Sequence, residues 1–306
     1  MNRAERFKYV VLLIFSLCSS LTFPQSSDGV QNIKIKIIAS VFPLMEFAGA
    51  VAGERGEVSL LLPPGAGVHT WQPRASDILR LSSADLFIYV GAGLEPWIPD
   101  LLKSISSKKL RILAVAEFLP LNGQQKDGKD GVDPHVWLDF ELDRLIVNRI
   151  AGTLSGIDPA HASSYRAGAT QYDENLKKLD EHYSMSLNHC RQKTILVGGH
   201  AAFGYLAKRY NLEQISLYGL SPDAEPTPSR LMDTIQWARD HNIKAVFIEA
   251  NTSAKMAKVL AKEIQAELLV LNPGANLNKK EWNSGLTFFD IMKENLKNLK
   301  KGLICD

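Results

Sequence analysis

Eight short stretches of the chain are close to continuously apolar. They are IKIKIIASVF (33–42), EVSLLLP (57–63), DLFIYVG (85–91), LRILAVA (110–116), TILVGGH (194–200), EQISLYG (213–219), KAVFIEA (244–250) and ELLVLNP (267–273). A half-buried strand alternates apolar and polar residues, whereas a strand covered on both faces loses that alternation. Between the runs lie stretches with helical periodicity: SDILRLSSA, AAFGYLAKRY, SRLMDTIQWARDH and SAKMAKVLAKEIQ. Strand alternating with helix predicts an α/β fold, with a doubly wound parallel sheet in each half.

The segment between the halves has a different pattern. From Asp158 to Cys190 the chain contains no glycine except Gly168, and no proline beyond Pro159. Tyr165, Ala169, Tyr172, Leu176, Leu179, Tyr183 and Leu187 recur at steps of three and four, an apolar stripe of helical period. Asp158 reads as an N-cap and Pro159 as a first-turn residue. The pattern predicts one helix of about 30 residues, roughly 45 Å long. The expected order is an N-terminal lobe over 33–157, a connecting helix over 158–190 and a C-terminal lobe over 191–306. A stiff rod between two lobes implies limited hinge motion.

The first 24 residues read as a signal peptide: Arg3, Arg6 and Lys8 precede the apolar run YVVLLIFSL, which is too short for a permanent membrane anchor. Leu17 before Cys18 disfavours a lipid anchor there, so simple cleavage is the expectation. The protein is read as exported, to a periplasm or cell surface. The formal net charge of the chain is +2. The leader carries three of the basic groups against Glu5, which leaves the remainder nearly neutral. Nucleic acid and anionic membrane are thereby disfavoured as partners, since both select basic surfaces. Of three cysteines, Cys190 and Cys305 remain after cleavage. An exported compartment allows them to pair, and two unpaired thiols are the alternative.

Three histidines share one kind of position. His69 follows the second run through a Pro/Gly turn, His135 follows the fourth run and a polar loop (122–131), and His200 ends the fifth. All lie beyond the carboxyl ends of parallel strands, where open α/β sheets bind ligands. Two come from one lobe and one from the other, so they can converge in the cleft. Three neutral imidazoles suit a borderline metal, zinc above all. A hard cation would ask for more carboxylates. His161, His182, His189 and His241 read as solvated surface. Trp71 and Trp137, each two residues beyond a candidate ligand, read as core that also dries the pocket.

The blocks SVFPLMEFAGAVAGE, HTWQPRASDILRLSSADLFIYVGAGLEPWI, DPHVWLD, GGHAAFGYLAKRYNL, GLSPDAEPTPSRL and VFIEANTS occur in this order. Together they resemble the metal-binding proteins of bacterial zinc/manganese ABC importers, over about residues 34 to 300. The resemblance implies two α/β lobes, a rigid connecting helix, an interlobe metal and delivery to a membrane permease. It puts His69, His135 and His200 on ligand positions. Manganese-type members carry a glutamate where His200 stands, so the resemblance favours Zn2+ over Mn2+. The chain departs from the family twice. The stretch LVLNPGANL holds Asn272 and Asn276 but no carboxylate for a fourth ligand, and the loop at 122–131 has no histidine. Three histidines plus water, or a weak amide oxygen such as that of Asn272, is the expected set. Glu249 and Asp139 are candidates to support the ligands from behind, and Asp139 also to cap the next helix.

A three-histidine zinc with an open position is also a catalytic pattern. The chain has no H-E-x-x-H helix, nucleophile elbow or phosphate-binding P-loop, so a monomeric carrier is preferred over an enzyme. A manganese- or iron-specific carrier, a zinc hydrase or hydrolase, and a surface adhesin are the alternatives. Ligand histidines bind metal when neutral, so affinity is expected to fall below about pH 6.5.

Overall fold

The computed structural model describes residues 34–121, 131–220, 227–250 and 254–306. The expected signal peptide, Cys18 and nearly all of the polar loop lie outside them. All eight apolar runs contain a strand: β1 (Ile35–Ala39), β2 (Gly56–Leu60), β3 (Leu86–Tyr89), β4 (Arg111–Ala114), β5 (Thr194–Val197), β6 (Glu213–Ser216), β7 (Ala245–Glu249) and β8 (Glu267–Leu271). They form two four-stranded sheets, ordered β2-β1-β3-β4 and β6-β5-β7-β8, with every pairing parallel. The strand order reverses between β1 and β3, and again between β5 and β7. Each sheet therefore has the kind of crevice in which doubly wound folds hold ligands.

Among the described residues ten α-helices accompany the strands: α1 (Phe42–Ala52), α2 (Ala75–Ser83), α3 (Ile98–Lys103), α4 (Phe140–Ile157), α5 (Ala162–Leu187), α6 (Gly204–Arg209), α7 (Pro228–Asp240), α8 (Lys255–Ile264), α9 (Lys279–Asn283) and α10 (Phe288–Gly302). The first apolar run is shorter as a strand than its hydrophobicity suggests. Val41 is extended, and Pro43 opens α1 near its first position, a place where its missing N–H costs nothing. The helix AAFGYLAKRY begins only at Gly204, because the chain beyond β5 first runs as a loop that carries His200.

The connecting rod is α5, 26 residues long, and it buries the seven apolar positions of its stripe. It starts at Ala162 rather than at Asp158. The Asp158 side chain does not cap; it lies 2.7 Å from His161 Nδ1 and accepts from the Tyr165 hydroxyl, and a 3-10 turn fills Pro159–His161. Gly168 is the point where α1 crosses α5. A Cβ there would meet Ala50 O at 2.7 Å and Val51 O at 2.9 Å, so only glycine allows this approach.

One apolar cluster runs from the first sheet through α1, α4 and α5 to α10 and the inner face of the second sheet. Phe288 at the start of α10 meets Phe47 and Phe140 edge-on. Polar links also cross between lobes: Phe42 N–H donates to Ala275 O, Gly65 N–H to Leu277 O, and Asn276 Nδ2 to both Pro63 O and Ala66 O. A shared core with bonded loops resists independent motion of the lobes. Lys34–Asp306 accordingly form one compact unit. Cys190 and Cys305 are bonded through their sulfurs, which staples the end of α5 to the end of α10. No helix among the described residues is long and apolar enough to cross a membrane.

Candidate metal centre

The loop after β2 carries His69. It is held from behind by Trp97, whose indole N–H donates to Val68 O, while the Trp71 ring stands edge-on to Trp97. Trp71 thus braces the loop and does not line the histidine cavity. His135 begins the 3-10 turn Val136–Leu138. Trp137 is fully buried, donates to Pro273 O across the cleft and sets its ring 5.5 Å from that of His135. His200 lies in the loop after β5, beside the end of β7, at the point where the second sheet reverses.

One ring nitrogen from each of His69, His135 and His200 falls within 4.8 Å of the others. The Nε2 atoms of His135 and His200 are 3.3 Å apart. A tetrahedral zinc with nitrogen ligands at ~2.05 Å separates neighbouring nitrogens by about 3.3 Å. His135 and His200 are buried and His69 is half-buried. The cavity they share measures about 190 Å³ and opens past Gly65–Val68, Ala250 and Pro273–Asn276.

A carboxylate lies beside the outer nitrogen of each of two rings. Asp133 Oδ1 accepts from the His135 backbone N–H and lies 2.8 Å from His135 Nδ1. Glu249 Oε1 accepts from the His200 backbone N–H, and Oε2 lies 2.7 Å from His200 Nδ1. At His135 the Asp133 carboxylate favours the proton on Nδ1, which leaves the Nε2 lone pair free for a metal; His200 Nδ1 is near Glu249 but makes no hydrogen bond with it. Burial, reinforced by the two neighbouring histidines, pushes His69 down to about 3. Burial likewise lowers His135, with Asp133 pulling the other way. Both rings are therefore neutral at physiological pH, the form that binds metal.

Glu249 stands behind His200. Asp139 does not support His135. Its Oδ1 accepts from Glu141 N–H at the start of α4 and pairs with Arg209 at 3.0 Å, because the 3-10 turn carries it away from the ring. Asp133 takes that place. The signal was legible in the spacing D-P-H, since an aspartate two residues back readily reaches the following backbone N–H. Asn272 lines the cavity, but its Oδ1 accepts from Gly274 N–H, so the amide shapes the turn. Asn276 is spent on bridging the lobes. Of the other histidines, His161 lies against Asp158, and His241 stacks on Trp237.

Residues 37–302 match the family model of the zinc-uptake complex component A, periplasmic. The chain is 35% identical to the zinc-binding protein AdcA of Streptococcus pyogenes serotype M18, with 96% of this chain aligned to 61% of AdcA. It therefore spans under two thirds of that relative's length. It is 32% identical to the high-affinity zinc uptake system protein ZnuA of Bacillus subtilis, over 95% of this chain and 94% of that one. The solved Zn(II)-bound ZnuA-like domain of Streptococcus pneumoniae AdcA superposes with a TM-score of 0.76 at 33% identity, covering 88% of this chain and 99% of the domain. With two parallel sheets, a connecting rod and a matched span that includes all three histidines, the chain belongs to the family of ZnuA-type periplasmic components of zinc-uptake complexes.

Proposed function

We propose that the protein is an exported carrier that captures Zn2+ through His69, His135 and His200 and hands it to the permease of an ABC importer. The observation that carries this reading is the 3.3 Å approach of two Nε2 atoms whose rings are both backed by carboxylates. With both rings in the Nδ1–H tautomer their Nε2 lone pairs face each other, an arrangement that a divalent cation between them turns into coordination. The charges support the same ion: Asp133 and Glu249 together match the two positive charges of zinc, while the inner donors stay neutral nitrogen, which favours zinc over manganese. The names and zinc-bound state of the relatives agree with it.

An enzyme reading has less support. Glu249 and Asp133 are committed to the histidines, so neither is placed to act as a general base on a metal-bound water. Isothermal titration of metal-free protein with Zn2+ and Mn2+ tests the proposal. One zinc per chain, bound at least a hundredfold more tightly than manganese, is expected. Equal affinity for the two ions would refute the zinc assignment, and zinc-dependent ester or CO₂ hydration lost in His135→Ala would refute the carrier assignment.

A further inference from the structure

Arg209, the last residue of α6, reaches acidic side chains on two other helical segments. Its Nε and Nη2 each pair with a carboxylate oxygen of Asp180 on α5 at 2.5 Å, and Nη1 lies 3.0 Å from Asp139 Oδ1. Nη2 is also 3.8 Å from Glu141 Oε2, and the Tyr210 hydroxyl donates to Asp180 Oδ1. The three principal side chains are only about one fifth exposed, at 21%, 19% and 21% for Arg209, Asp139 and Asp180. A planar guanidinium that spans two carboxylates is a rigid connector where a lysine would be a flexible point charge.

The positions of these residues in the chain give the contact its meaning. Asp139 closes the short turn that begins at His135. Arg209 ends the helix that follows the His200 loop, and Asp180 sits on the rod between the lobes. The guanidinium thus fastens the segment after one histidine to the segment after another, and both to α5. The two Nε2 atoms stand 3.3 Å apart across the join between these segments.

We infer that Arg209 is a positioning residue of the zinc site: its clasp on Asp139 and Asp180 holds the His135 and His200 segments at the spacing that zinc requires. This rests on the reading that both histidines are ligands. Without the clasp the segments sample other spacings, and apparent affinity falls with the fraction of molecules in the competent arrangement. Arg209 touches neither zinc nor a ligand ring, so its effect appears as faster release rather than as a lost donor.

Two variants test this. Arg209→Met keeps the aliphatic stem and removes the fork. Asp139→Asn removes the charge while asparagine still caps α4. Zinc release into a chromophoric chelator is followed by stopped flow, alongside melting temperatures of free and loaded protein and the visible absorption of the Co2+-loaded site. Both variants should release zinc about tenfold faster, and the double variant no faster than either alone, as for a coupled pair. Arg209→Lys should restore release only partly, and the tetrahedral Co2+ bands should weaken in Arg209→Met. Unchanged release and unchanged Co2+ spectra, with only a lowered melting temperature, would show the clasp to be structural and overturn the inference. If Arg209→Met fails to fold, Asp139→Asn decides alone. His135→Ala in the same assay keeps the two readings apart, since wild-type release there would refute the ligand assignment rather than the clasp.

Discussion

His135 and His200 come from different lobes, yet their Nε2 atoms stand 3.3 Å apart, and each ring has its other nitrogen against a carboxylate of its own lobe. On the proposed reading the pair is a metal clamp in which each lobe supplies a donor together with a carboxylate beside it. Removing Asp133 or Glu249 should therefore cost affinity although neither touches zinc. Asp133→Ala and Glu249→Ala are each expected to weaken zinc binding by about 10- to 100-fold, measured by competition with a chelator of known affinity. His69→Ala, His135→Ala and His200→Ala should each lose at least about tenfold. A histidine variant that binds like wild type is not a ligand variant.

Much of this was readable in the chain because it depends on local pattern. Continuous apolar runs mark strands, and each of the eight contains one, although the edge strands β2, β4, β6 and β8 stay partly exposed. The stripe Tyr165 to Leu187 marked the buried face of α5, since helical period and burial are the same fact seen twice. What the sequence hid was tertiary. Asp133 stands two residues before His135 and Asp139 four after it; the D-P-H spacing speaks for Asp133, but that Asp139 is turned away to Arg209 follows only from the course of the 3-10 turn. The role of Arg209 depends on Asp139 and Asp180 meeting it from elements far apart in sequence. Gly199 shows nothing in the motif GGH, because its reason is a side chain 50 residues later.

That reason yields a second prediction. A Cβ at Gly199 would sit 2.1 Å from Glu249 Oε1 and 3.1 Å from its carboxyl carbon. The carboxylate has little freedom to retreat, being buried and fixed to the His200 backbone. Gly199→Ala should therefore act on zinc as a mild form of Glu249→Ala, lowering affinity about tenfold. Wild-type affinity in this variant, with a crystal structure showing Glu249 unmoved, would contradict the packing argument.

The pH response follows from burial. An exposed imidazole titrates near 6.5. His69 is held down to about 3, and His135 is also lowered. In the unfolded chain these rings take protons as pH falls through 6.5, while the folded protein refuses them until pH is far lower. Their contribution to stability is therefore complete above about pH 6.5 and erodes below it, through the window down to about 3 for His69. For metal the consequence is opposite to the simple expectation from free imidazole. Proton competition at these two ligands is postponed, so the fall in affinity moves below pH 6.5. Titrations at about pH 5.5, where free imidazoles are mostly protonated, in buffers of differing ionisation enthalpy should show little proton release from His69 and His135. Release of about two or more protons per zinc would contradict the shifted values.

The disulfide closes a loop spanning 115 positions between Cys190 and Cys305. Cross-links over about 100 residues restrict the unfolded chain by roughly 4.7 kcal/mol in the loop-entropy picture, as an upper figure. Cys190→Ser with Cys305→Ser is expected to lower the unfolding free energy by about 2–5 kcal/mol, read from urea denaturation of metal-free protein. Neither cysteine lies in the histidine cavity, so zinc affinity at 25 °C should stay within about twofold of wild type. Loss of zinc binding in the folded variant would mean that the staple also sets the site.

Asp143, one turn beyond Asp139 on α4, is fully buried, and neither of its carboxylate oxygens has a hydrogen-bond partner. Burial drives its acid well above the usual carboxylate range; Asp139 adds to the rise and Arg209 opposes it. The folded protein therefore carries Asp143 protonated at pH values where the unfolded chain has it ionised. The sign follows: this group costs stability above the unfolded value near 3.9, and the cost shrinks as pH falls toward that value. Asp143→Asn keeps the shape and removes the ionisable group, so it should stabilise the protein at pH 7 by about 1–3 kcal/mol. Its advantage should narrow as the denaturation series is carried down to pH 4. The Tyr172 hydroxyl is likewise buried without a partner among the described residues, and its titration is raised by burial and by Glu46 and Asp143. An asparagine variant less stable than wild type at pH 7 would mean that the acid is bonded to Tyr172 through water, and that the charge balance around Arg209 depends on it.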